Sequence, residues 1–204
     1  MNSGKQAQDL FQNMADDQKR FLIEKDATDE KSVKDWLVFL DDIVRYDVLI
    51  DKTTKTLKSA IMLLWIFSIF NIIVAIITSS IPLALLGIAM AGLAIYQRLK
   101  RASYFKRDLH NHLRDFFHPL LKALFDTIGP DTEVFADFKL REKDTEEYVI
   151  SFGFAWDDKK SIKAKLTREG YHLKVLVDNE EKEIVKDHAS IGQFLEDVKV
   201  NVAS

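Results

Sequence analysis

Residues 59–97 contain no charged side chain, in a chain of 204 residues of which 30% are Asp, Glu, Lys or Arg. A charge-free block of 39 residues is too long for the core helix of a soluble domain. It matches two membrane spans of about 20 residues each. The block stumbles once, at Ser79-Ser80-Ile81-Pro82. Serine caps helix starts, and proline suits a first helical turn, where its missing N–H costs nothing. The pattern predicts transmembrane spans over about 59–78 and 82–97, turned tightly back on each other. The second is short for a full crossing, so it tilts little or thins the bilayer. The alternative is a re-entrant hairpin, whose backbone has to be buried in protein.

The net charge of −3 hides a gradient along the chain. Residues 98–128 are basic, whereas residues 1–58 and 129–204 are acidic. Lys52, Lys55 and Lys58 precede the block, and Arg98, Lys100, Arg101, Lys106 and Arg107 follow it. The link between the spans is uncharged. Cations stay on the cytoplasmic side, so both termini are expected there. Tyr96 stands where an interfacial aromatic belongs. No signal peptide or transit-like leader is read at the N-terminus, and the flanks fit a bacterial inner membrane. The chain has no cysteine, which excludes disulfides, thiolate metal sites and cysteine nucleophiles.

Small and polar residues recur at helical spacing in both spans: Ser68, Asn71, Ala75 and Ser79, then Ala84, Gly87, Ala91 and Ala94. Folding the chain about residue 81 pairs them outward from the turn: Ser79 with Ala84, Ala75 with Gly87, Asn71 with Ala91, Ser68 with Ala94. Small residues let backbones approach in lipid, and Ser and Asn can hydrogen-bond across the contact. These eight residues form the expected packing seam. Asn71 has two readings, hairpin glue or a pore-lining amide.

Helices are expected to continue beyond the membrane. Ser32-Val33-Lys34-Asp35 reads as a helix start, and Trp36, Leu37, Leu40, Ile43 and Val44 form a helical stripe. A second stripe runs from Leu109 through Phe116, Phe117, Leu120, Leu121 and Leu124 to Ile128, with a kink expected at Pro119. Gly129-Pro130 stops it. Residues 5–24 read as one amphipathic helix with Leu10, Phe11, Met14, Phe21 and Leu22 on one side. That stripe would pack on the hairpin, lie on the membrane or bind a partner chain.

After Pro130 the apolar period becomes two. Strands are expected at Val134–Leu140, Tyr148–Trp156, Ile162–Leu166 and Tyr171–Val177, with a short edge piece at Glu183–Lys186. Asp157–Lys160, Arg168–Gly170 and Asp178–Glu180 are the turns. Ser190-Ile191-Gly192-Gln193 opens a covering helix that presents Ile191, Phe194, Leu195 and Val198. Trp156 is expected at the sheet–helix interface. The fold class is therefore a membrane α-helical hairpin extended by cytosolic helices, plus a C-terminal α+β domain. That domain is an antiparallel meander of 4–5 strands with a C-terminal helix. Three segments follow: 1–32, the N-terminal amphipathic helix; 33–128, the long hairpin; and 129–204, expected to fold independently.

No catalytic constellation is legible. The five histidines do not converge; His110 and His118 share a helical face with Arg114 between them, a poor arrangement for a metal. His110 and His112 point apart. The acid pairs Asp41-Asp42 and Glu146-Glu147 are adjacent and diverge. No zincin, P-loop, nucleophile-elbow or dinucleotide motif is present. No catalytic, cofactor-binding or metal-binding residue is assigned. Lys163, Lys165 and Lys174, with His172, form a candidate anionic surface on the polar sheet face; the alternative is a solvated face with lysines that discourage edge pairing. The acidic balance of that domain argues against nucleic acid. The expected partners are a lipid bilayer and a protein, either a different chain or a second copy. Two functions remain: a non-enzymatic membrane anchor for a cytosolic stalk and interaction module, or a homo-oligomeric pore subunit.

Overall fold

A computed structural model describes residues 3–105, 109, 111–140, 149–157, 159–167, 169–178, 180–188 and 190–203. The elements are α1 (Ser3–Asn13), α2 (Asp16–Glu24), β1 (Asp26–Ser32), α3 (Val33–Thr78), α4 (Ile81–Phe105), a π-helical turn (Leu113–Phe117), α5 (His118–Thr127), β2 (Glu133–Lys139), β3 (Ile150–Asp157), β4 (Lys160–Leu166), β5 (Tyr171–Val177), β6 (Glu180–Lys186) and α6 (Ile191–Ala203). They form two compact units. One comprises residues 1–13 with 46–108, the other residues 14–45 with 109–204. These units are not the three consecutive segments read from the sequence. The expected N-terminal helix is two helices, and each belongs to a different unit.

The second unit is built on a six-stranded antiparallel sheet in sequence order, β1 to β6. The expected four to five strands missed β1, which pairs with β2 from Asp26↔Lys139 to Ser32↔Glu133. This strand, DATDEKS, precedes the hairpin in the chain. Ser32 ends it and at once caps α3: its Oγ accepts the Asp35 N–H at 3.1 Å and donates to the Asp35 carboxylate at 2.7 Å. The two edge strands, β1 and β6, are the charged ones, which discourages pairing with another sheet. The expected strand residue Tyr148 and the turn residues Asp158, Arg168 and Asn179 lie outside the described residues.

One sheet face is dry. Val134, Ala136, Phe138, Ile150, Phe152, Phe154, Ile162, Ala164, Leu166, Tyr171, Leu173 and Val175 are all buried. The cover is not α6 alone. A chain of ring contacts runs from Phe21 to Phe138 (5.3 Å), Phe138 to Phe117 (5.2 Å), Phe117 to Phe152 (5.4 Å), Phe152 to Phe194 (5.7 Å) and Phe194 to Tyr171 (5.3 Å). Such edge-on and tilted ring pairs add to the area they bury. Trp36 joins the chain at Phe138 and donates its indole N–H to the Val134 carbonyl at 2.8 Å. The stripes assigned to a cytosolic stalk thus pack on the sheet.

Pro119 acts through the turn before it. A proline clashes with the carbonyl four residues earlier. Here the helix widens into a π turn, and the His118 N–H reaches the Leu113 carbonyl, five residues back. The extra residue shifts the phase of the stripe, so the adjacent Phe116 and Phe117 are both buried. Trp156 is only half-buried, because the β3–β4 register slips between Ala155 and Asp157 and turns it off the dry face.

The first unit holds two helices long and apolar enough to cross a membrane, in Val33–Thr78 and in α4, joined by Ser79-Ser80. In each, only 11% of the most apolar window is buried, whereas the core helix of a soluble domain is mostly buried. Helix α1 packs on the same unit: Ala7 is fully buried, Ser3 and Thr53 share a hydroxyl contact at 3.1 Å, and Phe11 meets Tyr46 at 5.7 Å.

Candidate functional site

The feature that sets this molecule apart is the hairpin of α3 and α4. Its turn is two residues long. Ser79 adopts a left-handed conformation (φ 50°), and the Ser80 N–H bonds the Ala75 carbonyl at 3.0 Å, closing α3. The Ser80 carbonyl accepts the Ala84 N–H at 3.2 Å and so opens α4. Pro82 sits second in the new helix, where its missing N–H breaks no bond.

The turn sets the register. The chain pivots at Ser79-Ser80, one to two residues earlier than residue 81, so partners shift by about one helical turn. The atoms nearest to a side chain at Gly87 belong to Ile72 and Ser68. The Ser68 hydroxyl, fully enclosed, donates to the Gly87 carbonyl at 2.7 Å. A Cβ on Gly87 would stand 2.7 Å from Ile72 Cγ1 and 3.1 Å from the Ser68 carbonyl oxygen. Asn71 donates to the Phe67 carbonyl of its own helix at 2.7 Å and lies 3.9 Å from Met90 Sδ. Ala75, Gly87 and Ala94 are buried; Ala84 and Ala91 are half-buried; Ser79 is exposed in the turn, outside the seam. The seam extends beyond the eight residues read from the sequence. Leu57, Ala60, Ile61 and Leu64 on α3, and Leu83, Met90, Gln97 and Arg101 on α4, are also shielded. This alternating spacing of three and four is the coiled-coil pattern. Ile72 was missed because a small-residue search does not see the large side chain that a glycine accommodates.

The surface off the seam is mostly apolar and exposed. Of the twenty-six exposed large hydrophobic residues among those described, nineteen lie between Met62 and Leu99. Ile76 and Ile77 reach 75% and 77% exposure. Soluble proteins rarely leave contiguous apolar patches above a few hundred Å². The belt ends at charge on both helices: Lys55 and Lys58 below Met62, and Arg98, Lys100 and Arg101 around Leu99. Lys106 and Arg107 lie outside the described residues.

The lysines of the sheet are placed differently. Lys163 and Lys174 are direct cross-strand neighbours, and Lys165 faces His172. The next strand brings acids: Lys174 binds the Glu181 carboxylate at 2.7 Å and stands opposite Glu183. The Lys174 ammonium pushes the Glu181 pKa down and is itself held up by it. This face is a mixed lattice of charge.

Two titratable groups sit inside the second unit. Tyr171 donates to Asp197 at 2.8 Å, and burial together with that bond raises its hydroxyl pKa. His118 is buried just after the π turn. Its Nε2 has no hydrogen-bond partner among the described residues and lies 4.0 Å from the Asp41 carboxylate. Desolvation, then Lys122, lowers its pKa, against an upward pull from Asp41. His112, His172 and His188 stand apart from it in the chain, and His110 and the acids Glu146 and Glu147 lie outside the described residues. Among the described residues no three His, Asp or Glu side chains gather as metal ligands.

No family model, no curated protein and no solved structure matches this chain, so its function has to be argued from the hairpin and the sheet unit themselves.

Proposed function

We propose that the chain is a non-catalytic integral membrane protein. The hairpin crosses a bilayer, and the sheet unit is an interaction module held at the cytoplasmic face for a partner protein or a second copy. The observation that carries this reading is the exposed apolar belt from Met62 to Leu99, closed by cations at one end only. In water such a belt would drive aggregation; in lipid it is the favoured surface. The flanking cations at the open end of the hairpin support a reading with both termini in the cytoplasm and a bacterial inner membrane as the setting.

A pore subunit would need polar groups turned away from the seam. Ser68, Asn71 and Thr78 each direct a donor to a carbonyl within the hairpin, Thr78 to Val74 at 2.8 Å, which supports an anchor. The test is extraction with reporter fusions. The full chain should stay in the membrane pellet through alkaline carbonate washing and need detergent for release. Fusions at both ends should report cytoplasm. A chain that is soluble and monodisperse without detergent overturns the anchor, and an external signal from either end overturns the topology.

A further inference from the structure

A polar cleft of about 290 Å³ opens in the first unit where α1 meets the charged ends of α3 and α4. Its walls include Lys5 from α1, Thr53 and Thr56 from α3, and Gln97, Lys100 and Tyr104 from α4. Among the described residues no acidic side chain lines it. We propose that this cleft binds the phosphodiester headgroup of one anionic phospholipid.

Among the described residues, two cations from different helices line one small cavity, and every other polar lining group is neutral. That composition selects a single anion. The hydroxyls of Thr53 and Thr56 donate to the Leu49 and Lys52 carbonyls at 2.7 and 2.9 Å, so they contribute shape. The side-chain donors left for an anion are the two ammonium groups, the Gln8 and Gln97 amides and the Ser3 and Tyr104 hydroxyls. A phosphate accepts several such bonds at once, and charge-assisted ones are the strongest. The volume is at the small end for ligand pockets, about 300–1,000 Å³, which suits a headgroup. Position identifies the source. Gln97 lies between Tyr96 and Leu99, two members of the exposed belt, and Leu57 in the cleft wall is just short of Met62, where the belt begins on α3. A phosphate seated here would have its acyl chains beside the belt. The inference rests on the membrane reading above.

The test is native mass spectrometry of the full chain released from detergent with dioleoylphosphatidylglycerol or dioleoylphosphatidylcholine. One phosphatidylglycerol should be retained in preference to phosphatidylcholine. Lys5→Gln and Lys100→Gln should each weaken retention, and together by about tenfold or more, since each interfacial cation contributes on the order of that needed for a several-fold change. Lys58→Gln and Arg98→Gln flank the belt without lining the cleft and should change it less than about twofold. Equal loss from both pairs overturns the site in favour of diffuse surface charge. Displacement of the lipid by millimolar inorganic phosphate overturns the lipid source in favour of a soluble phosphate, and retention of neither lipid overturns the proposal. Solubility without detergent is read separately, so failure of the anchor and failure of the cleft are distinguishable.

Discussion

Helix α3 is built for two environments along one axis. Between Val33 and Ile50, its residues Val33, Trp36, Leu40, Ile43, Tyr46 and Ile50 are at most 1% exposed, and the remaining faces carry charges such as Lys34, Asp35, Asp41 and Arg45. Between Met62 and Ile77, most of the large apolar residues are exposed and the fully buried positions are the small Ser68 and Ala75. The same covalent geometry has its hydrophobic pattern inverted. In the first stretch, apolar area leaves water by meeting protein. In the second, close backbone approach is what holds the helices, because lipid gives no preference for burying one apolar chain against another. The two stretches should therefore fail under different substitutions.

The largest expected effect follows from the discontinuity of the sheet unit. A fragment of residues 130–204 lacks β1, Phe21, Trp36 and Phe117, so the dry sheet face is left open. It should show no cooperative thermal transition, whereas residues 14–45 joined to 109–204 by a flexible Gly/Ser linker should show one without detergent. Cooperative melting of the shorter fragment would mean that β1 and α3 are accessories to a core that α6 can seal alone.

A matched pair of phenylalanines sharpens the contrast. Phe117, fully buried, touches Trp36, Phe138 and Phe152. Phe117→Ala should cost about 3–5 kcal/mol of the stability of the sheet unit. Phe70, 62% exposed in the belt, should give a Phe70→Ala variant within about 0.5 kcal/mol of the parent in detergent. Comparable losses in the two denaturation curves would show that the belt is packed against something.

The glycines of α4 test the seam. Gly87→Leu should cost roughly 1–3 kcal/mol, since even its Cβ meets the α3 backbone. At Gly92 a Cβ meets nothing within 4 Å, so Gly92→Ala should be neutral or slightly stabilising. The register has its own check. Cysteines at Asn71 and Met90, whose side chains meet across the seam, should bridge within one chain of this cysteine-free protein. Bridging only between chains would move the seam to an oligomer interface and favour the pore.

The smallest effect is electrostatic. Burial holds the His118 pKa below that of an unfolded chain, so the unfolded state takes up its proton first as pH falls. The contribution of His118 is complete above the ordinary histidine pKa and diminishes as pH drops through it. The parent should lose more stability than His118→Phe between pH 7.5 and about 5, as read from paired melts. Identical pH profiles would show that His118 is hydrated in solution.

Local signals were legible in the chain and nonlocal ones were not. A charge-free block, a Ser-Ser-X-Pro break, basic flanks and strands with alternating apolar residues are properties of neighbours in sequence. They determined the apolar hairpin, the β2–β5 meander and the helix after Ser190. The strand Asp26–Ser32 has Ala27 as its one aliphatic residue, so no period marks it; it exists because β2 offers it a row of hydrogen-bonding partners. The break at Met14-Ala15 carries no usual cap, and it forms because Gln18 turns back to the Ala15 N–H at 3.1 Å while reaching the Phe39 carbonyl at 2.7 Å. The approach of Gly87 to Ile72 and the meeting of Lys5 and Lys100 at one cleft were likewise decided by packing. Each depends on a contact between residues far apart in the chain, and a one-dimensional pattern contains no term for it.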